Sequence, residues 1–228
     1  MIHIPKKIVI AVLLLCAALP VFSEQYYSLG TGLNFWADHF PNDSYSRQQV
    51  STNVIFSFYY FSTDSLLGLY ARASIGGSSP YREQNEREFM LPRNGNLFEF
   101  RAVASPSFRL KAGSKCQFPF SLGPTLIYSN EKISERTYEK IGSEYSGGVT
   151  RNYFYESISW GLNGDAAFMF IPAKHFFIRQ GISLDYIFLR AENGEMRMNY
   201  RTTHNTAYKI APYYAVNFSF YFGLGLRF

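Results

Sequence analysis

Apolar and polar positions alternate almost without error over the last 21 residues of the chain, 208–228. Tyr208, Ile210, Pro212, Tyr214, Val216, Phe218, Phe220, Phe222, Leu224, Leu226 and Phe228 fall on one face. Lys209, Ala211, Tyr213, Ala215, Asn217, Ser219, Tyr221, Gly223, Gly225 and Arg227 fall on the other. A period of two held this long predicts one strand with an apolar side and a small or polar side. Strands of soluble proteins are mostly about 5–6 residues long. A tilted strand that crosses a bilayer needs roughly 9–11 residues, which this segment exceeds.

Seven earlier segments repeat the pattern. Over 25–37, Tyr27, Leu29, Leu33 and Phe35 oppose Ser28, Gly30, Gly32 and Asn34; over 50–60, Val50, Val54, Phe56, Phe58 and Tyr60 oppose Ser51, Asn53 and Ser57. Over 66–75, Leu67, Leu69, Ala71, Ala73 and Ile75 oppose Gly68, Tyr70, Arg72 and Ser74. Over 96–110, Phe98, Phe100, Ala102, Ala104, Phe108 and Leu110 oppose Glu99, Arg101, Ser105, Ser107 and Arg109. The segment ending at Ser129 sets Phe118, Phe120, Leu122, Leu126 and Tyr128 against Gln117, Ser121, Gly123 and Thr125. Over 153–170, Ile158, Trp160, Leu162, Ala166, Phe168 and Phe170 oppose Ser157, Ser159, Gly161, Asn163 and Asp165. The seventh, ending near Arg190, opposes Phe176, Ile178, Ile182, Leu184, Tyr186 and Phe188 to Arg179, Gly181, Ser183 and Asp185.

The connections alternate in length. Turns at 62–65, 111–115 and 171–175 are short, whereas 38–49, 76–95, 130–152 and 191–207 are long, polar and charged. Short turns at one end and long loops at the other are how outer-membrane barrels are built, with the long loops outside the cell. Pro106, Pro124 and Pro212 break the pattern and predict bulges or positions near a rim. Gln180 also falls on the apolar face.

An interior formed by eight strands is only just wide enough for side chains to fill it. The Phe-rich faces of all eight strands would overfill it, whereas Gly, Ser, Asn and a few charged residues fit. The apolar face must therefore look outward. In water that surface would be an apolar band far beyond what monomers tolerate, so lipid is the consistent solvent. A closed barrel is the strand-based way to cross lipid without unpaired backbone groups. The expected fold class is all-β: a closed eight-stranded antiparallel up-and-down transmembrane β-barrel spanning residues 24–228.

The N-terminal segment has the form of an export signal. Lys6 and Lys7 precede an apolar run from Ile8 to Leu19, and Val21-Phe22-Ser23 offers a cleavage site, so residues 1–23 are read as a removed secretory signal. That run is shorter than the roughly 20 residues of a membrane anchor. Leu13-Leu14-Leu15-Cys16 is an alternative lipidation box, although Leu15 is large for the site. Without Lys6 and Lys7, the remaining 20 Lys and Arg against 17 Asp and Glu give a net charge of +3. This excess is too small to argue for nucleic acid as a partner. Cys116 is then the remaining cysteine, which excludes a disulfide-stapled fold.

The signal, the eight alternating segments, the alternating connections and the terminal Phe222, Leu224, Leu226 and Phe228 at two-residue steps resemble the small eight-stranded outer-membrane proteins of Gram-negative bacteria. These are the OmpA-like, OmpX-like and OmpW-like group. The resemblance covers essentially the whole mature chain and is architectural. It implies residence in the outer membrane as a monomer surrounded by outer-membrane lipids. It also implies handling by periplasmic chaperones and by the barrel-assembly machinery, which reads a C-terminal strand ending in Phe. In this chain the matching assembly signal is Phe222, Leu224, Leu226 and Phe228.

The inward face carries charges that persist in a lumen only when paired. Strand direction places Arg72, Glu99, Arg101 and Asp185 in the outer half and Arg109, Asp165 and Arg179 nearer the periplasm. A symmetric hairpin about residue 173 sets Asp165 near Gly181 and within diagonal reach of Arg179. An interior ion-pair network would fill the barrel, giving a structural or surface-binding role through the long loops; a narrow pore for small or hydrophobic solutes is the alternative. A lipid A-modifying enzyme is a further alternative. His39 in the first loop could meet Ser78, Ser79 or Glu83, a constellation that resembles the loop-borne groups of a lipid A palmitoyltransferase. The N-terminal amphipathic helix of that family does not precede the first strand, however. His204-Asn205-Thr206 lacks the His-x-Ser spacing of lipid A deacylases, and His175 sits at the opposite end. The expectation is no enzyme, no cofactor and no metal site. The long loops, 131–151 and 82–93 above all, mix acids, bases and tyrosines and are where an extracellular ligand of unknown identity would bind.

Overall fold

The computed structural model describes residues 23–39, 46–62, 65–78, 94–141, 144–198 and 201–228. These form eight strands: β1 (Ser23–His39), β2 (Ser46–Ser62), β3 (Leu67–Ser78), β4 (Asn94–Ala112), β5 (Cys116–Ile141), β6 (Glu144–Ala173), β7 (Phe176–Met198) and β8 (Arg201–Arg227). Each pairs antiparallel with its sequence neighbour, and β8 closes on β1 from Tyr26↔Arg227 to His39↔Tyr214. The fold is the closed eight-stranded barrel that the alternation predicts. Leader residues 1–22, Cys16 among them, lie outside the described residues, as do Thr63, Asp64, Ser79, Glu83 and the segment 82–93. Of the side chains of Ser78, His39 and His204 nothing is described.

The faces divide as the period requires. Leu29, Leu33, Val54, Phe56, Leu69, Ile75, Phe98, Phe120, Leu122, Leu162, Ile182, Leu184, Phe218 and Phe220 are exposed on the outer wall. Ser28, Asn34, Ser57, Arg72, Arg101, Ser107, Asn163, Arg179, Ser183, Asp185, Asn217 and Ser219 are buried in the lumen. Gln180 is exposed among apolar neighbours, opposite Phe168 and Phe222. The short turn between β4 and β5 closes on Gly113, whose φ of +78° is a conformation side chains rarely adopt.

The lumen is more aromatic than the polar-face reading expects. Tyr26, Tyr59, Phe61, Tyr70, Phe177 and Tyr221 all point into it and are buried. Glycines on the same face make this possible. A Cβ on Gly181 would come within 2.3 Å of the Tyr221 hydroxyl, and one on Gly225 within 2.3 Å of the Phe177 ring. Large residues on one strand thus occupy the space that a neighbouring glycine leaves empty, as close packing demands.

Two expectations need correction. The segments 130–152 and 191–207 are not irregular loops. Strands β5 and β6 stay paired from Glu131↔Tyr155 to Ile141↔Glu144, and β7 and β8 from Glu192↔Lys209 to Met198↔Arg201. Charged residues alternate as readily as apolar ones along a strand in water, so polarity there marked the end of the apolar belt and not the end of the ladder. The prolines, too, divide. Pro212 lies at a register shift between β7 and β8, as expected of a bulge. Pro106 and Pro124 leave the register of β4 and β5 unbroken between Val103↔Thr125 and Ser107↔Ser121, but the ladder is interrupted at the three intervening pairs. Each proline withdraws an N–H from this one seam.

Candidate functional site

The strands bring the lumen charges together around two carboxylates. Asp165 on β6 accepts from five donors. Its Oδ1 takes Arg179 at 3.0 Å, Tyr59 at 3.1 Å and Tyr221 at 2.8 Å; its Oδ2 takes Arg72 and Tyr70, each at 3.3 Å. Arg179 on β7 also donates to the hydroxyl oxygens of Tyr59 (2.9 Å), Tyr70 (3.0 Å) and Tyr221 (2.6 Å) and to Ser57. Its guanidinium lies 4.3 Å from the Tyr221 ring centroid, so cation–π attraction adds to the hydrogen bonds. Five strands, β2, β3, β6, β7 and β8, therefore meet at one point inside the barrel.

Asp185 on β7 is the second centre. It accepts from Arg101 at 2.5 Å, Asn163 at 2.6 Å and Asn217 at 3.1 Å. Arg101 spans the lumen from β4 and reaches Glu99 at 2.7 Å as well. The Arg72 guanidinium links the two centres, 3.3 Å from Asp165 and 4.0 Å from Asp185. Arg72, Arg101 and Arg179 balance Glu99, Asp165 and Asp185 in charge, the condition under which buried ions persist.

Arg109 stands apart from this network. It pairs with Glu24 at the short-turn end, donates to the Ser65 carbonyl at 3.0 Å and lies 4.3 Å from the Phe61 ring centroid. Glu24 also faces Lys111 and Arg227, each at 3.5 Å, and accepts from Tyr26 at 2.6 Å. Asp165 faces Ser183, and Gly181 faces Ala167, so Asp165 stands two residues from the position opposite Gly181 and reaches Arg179 at 3.0 Å. The reason is the turn, which consists of Lys174 and His175 and centres the hairpin beyond residue 173.

Glu24, Tyr26 and Tyr59 are the members that sequence reasoning missed. Tyr59 sits in the run Phe58-Tyr59-Tyr60-Phe61, where an inward and an outward aromatic look alike; its parity with Ser57 and Asn53 is the signal that identifies it. Phe222, Leu224, Leu226 and Phe228 are all exposed on the outer wall, with the Phe228 ring 6.1 Å from Tyr27. Among the described residues, no cluster of His, Cys, Asp and Glu has the makings of a metal site.

No protein-family model and no curated protein matches the sequence. Solved structures do. A major outer membrane protein of Thermus thermophilus superposes with a TM-score of 0.50 at 8% identity, over 90% of this chain and 99% of that one. The attachment invasion locus protein Ail of Yersinia pestis gives 0.48 at 13% identity, over 91% and 100%. Neisserial surface protein A gives 0.45 at 11% identity, over 89% and 97%. At these identities the likeness is one of fold. The chain has the fold of the small eight-stranded outer-membrane β-barrels.

Proposed function

We propose that the protein is an integral outer-membrane barrel with a side-chain-filled lumen that acts at the cell surface, as a structural or adhesion-type binding protein. The observation that carries this reading is the height of the β5–β8 wall. Strands β5 to β8 run 26, 30, 23 and 27 residues, against 17, 17, 12 and 19 for β1 to β4. The pairing of β4 with β5 ends at Asn94↔Ser134, and that of β8 with β1 at Tyr214↔His39. Beyond those points β5 to β8 form a four-stranded sheet. Among the described residues, 135–141 pair with β6 alone and 201–213 with β7 alone. A sheet edge raised above the rest of the wall is suited to accept an extended segment of another protein through backbone hydrogen bonds.

In the same reading the lumen network excludes solutes, and no residue acts as a catalyst or holds a cofactor. Phe222, Leu224, Leu226 and Phe228 serve the barrel-assembly machinery during biogenesis. The test is a variant whose two long hairpins are shortened to the height of β1–β4. It should still insert and resist detergent until heated, yet lose capture of extended peptides and of host-type surfaces by whole cells. Unchanged capture would defeat the surface role. Reproducible unitary conductance of the wild type in planar bilayers would replace the filled lumen with a pore.

A further inference from the structure

We propose that the short-turn rim is a docking surface for the phosphate groups of anionic phospholipids in the leaflet it crosses, with Lys115 and Lys174 as the principal contacts. The proposal rests on the transmembrane reading of the apolar wall. Cations crowd this end of the barrel. Lys111, Lys115, Lys174 and Arg227 stand on the rim, with the buried Arg109 beneath them. Glu24 is the one acidic side chain among the described residues there, and Arg109, Lys111 and Arg227 already share it. Among the described residues, the rim therefore carries an excess of positive charge.

Lys115 and Lys174 form no ion pair among the described residues, and both are exposed. Their turns are neighbours: the Ile171 N–H donates to the Lys115 carbonyl at 2.7 Å, and Lys174 follows three residues later. The arc continues to the β8 end, where the Arg227 N–H donates to the His175 carbonyl at 3.1 Å. Directly below the two lysines, the outer wall is aromatic. Phe118 and Phe168 lie 5.2 Å apart between ring centroids, and Phe120 and Phe170 are exposed beside them. Aromatic side chains gather at the level of lipid headgroups, so lysines one turn beyond such a band stand at the phosphate plane. Their long stems let the ammonium reach that plane while the methylenes cover apolar surface. Continuity with the lipid-facing wall and the sign of the charge both select lipid phosphate as the occupant.

The experiment compares spin-labelled phosphatidylglycerol with spin-labelled phosphatidylcholine at the surface of the full barrel folded in phosphatidylcholine vesicles. The wild type should immobilise phosphatidylglycerol in preference. Lysines at a membrane surface favour anionic lipid by about fivefold each, so Lys115→Glu with Lys174→Glu should abolish that preference. Lys132→Glu, exposed near the opposite rim, should leave it unchanged. Heat-modifiable gel mobility checks that every variant has folded, which separates failure of the barrel reading from failure of the site. Equal immobilisation of the two lipids by the wild type, or a preference that survives the double substitution, would overturn the proposal.

Discussion

Asp165→Asn removes one charge and changes little else in shape, so it isolates what the carboxylate does in the lumen. The two oxygens accept from Arg72, Arg179, Tyr59, Tyr70 and Tyr221. An amide offers one acceptor and turns an NH2 group toward five donors. Arg179 is left without a carboxylate, and Arg72 keeps only Asp185 at 4.0 Å. The inner cluster goes from neutral to a net positive charge in a region closed to water. Breaking a buried pair costs about 3–5 kcal/mol, and the loss of two arginine contacts at once places this variant near the middle, at about 4 kcal/mol. That is close to three orders of magnitude in the folding equilibrium constant. Reversible urea unfolding in lipid vesicles, followed by the fluorescence of Trp36 and Trp160, measures it. Combining Asp165→Asn with Arg179→Met removes both halves of the pair, so the double variant should cost about 2 kcal/mol less than the sum of the single ones. A single substitution within about 1 kcal/mol of wild type, or strict additivity in the double, would refute the network as a unit of stability.

Gly181→Ala should destabilise by about 1–3 kcal/mol through overpacking, because the new methyl meets the Tyr221 ring carbon at 2.5 Å and the Ala166 carbonyl at 2.6 Å; urea midpoints that match wild type would refute it. Pro106→Ala with Pro124→Ala returns two N–H groups to the β4–β5 seam, and at about 1 kcal/mol per bond the barrel should unfold at higher urea, with slower hydrogen exchange along that seam. Deleting Phe228 should lower surface abundance while Phe228→Tyr largely preserves it, and quantitative surface labelling decides between a role in assembly and none. N-terminal sequencing of the mature protein should begin at Glu24, and a lipid-modified Cys16 would contradict this.

The architecture was readable because a lipid-facing strand imposes a strict period of two over its whole length, and Phe, Leu and Ile in that register leave few alternatives. Strand ends were not, because the same ladder continues in water once lipid no longer demands apolar residues; Glu131, Lys132, Glu135 and Arg136 in β5 look like a loop for that reason. Arg72, Arg101, Arg179, Asp165 and Asp185 were visible as inward charges. Which of them meet depends on shear and tilt around the closed barrel, quantities that no local pattern carries. The pairing of Arg101 with Asp185, 84 positions away in sequence, is of this kind. Tyr59 and Phe61 were hidden among aromatics that face the opposite way. Glu24 was hidden by its place at the very start of β1, before any alternation could be established.

The meeting of five strands on Asp165 and Arg179 has a mechanical consequence. A ring of eight strands held by edge-to-edge bonds alone can flatten into an ellipse without breaking one of them, since each seam acts as a hinge. Struts that run from β2 and β3 to β6, β7 and β8 through the middle of the ring oppose that mode, as spokes keep a rim round. Lateral pressure from the surrounding bilayer is then borne by the hub as well as by the wall. The hub does not span the β4–β5 seam, where Pro106 and Pro124 interrupt the ladder between Val103 and Ser107 and the wall keeps its round section without a strut.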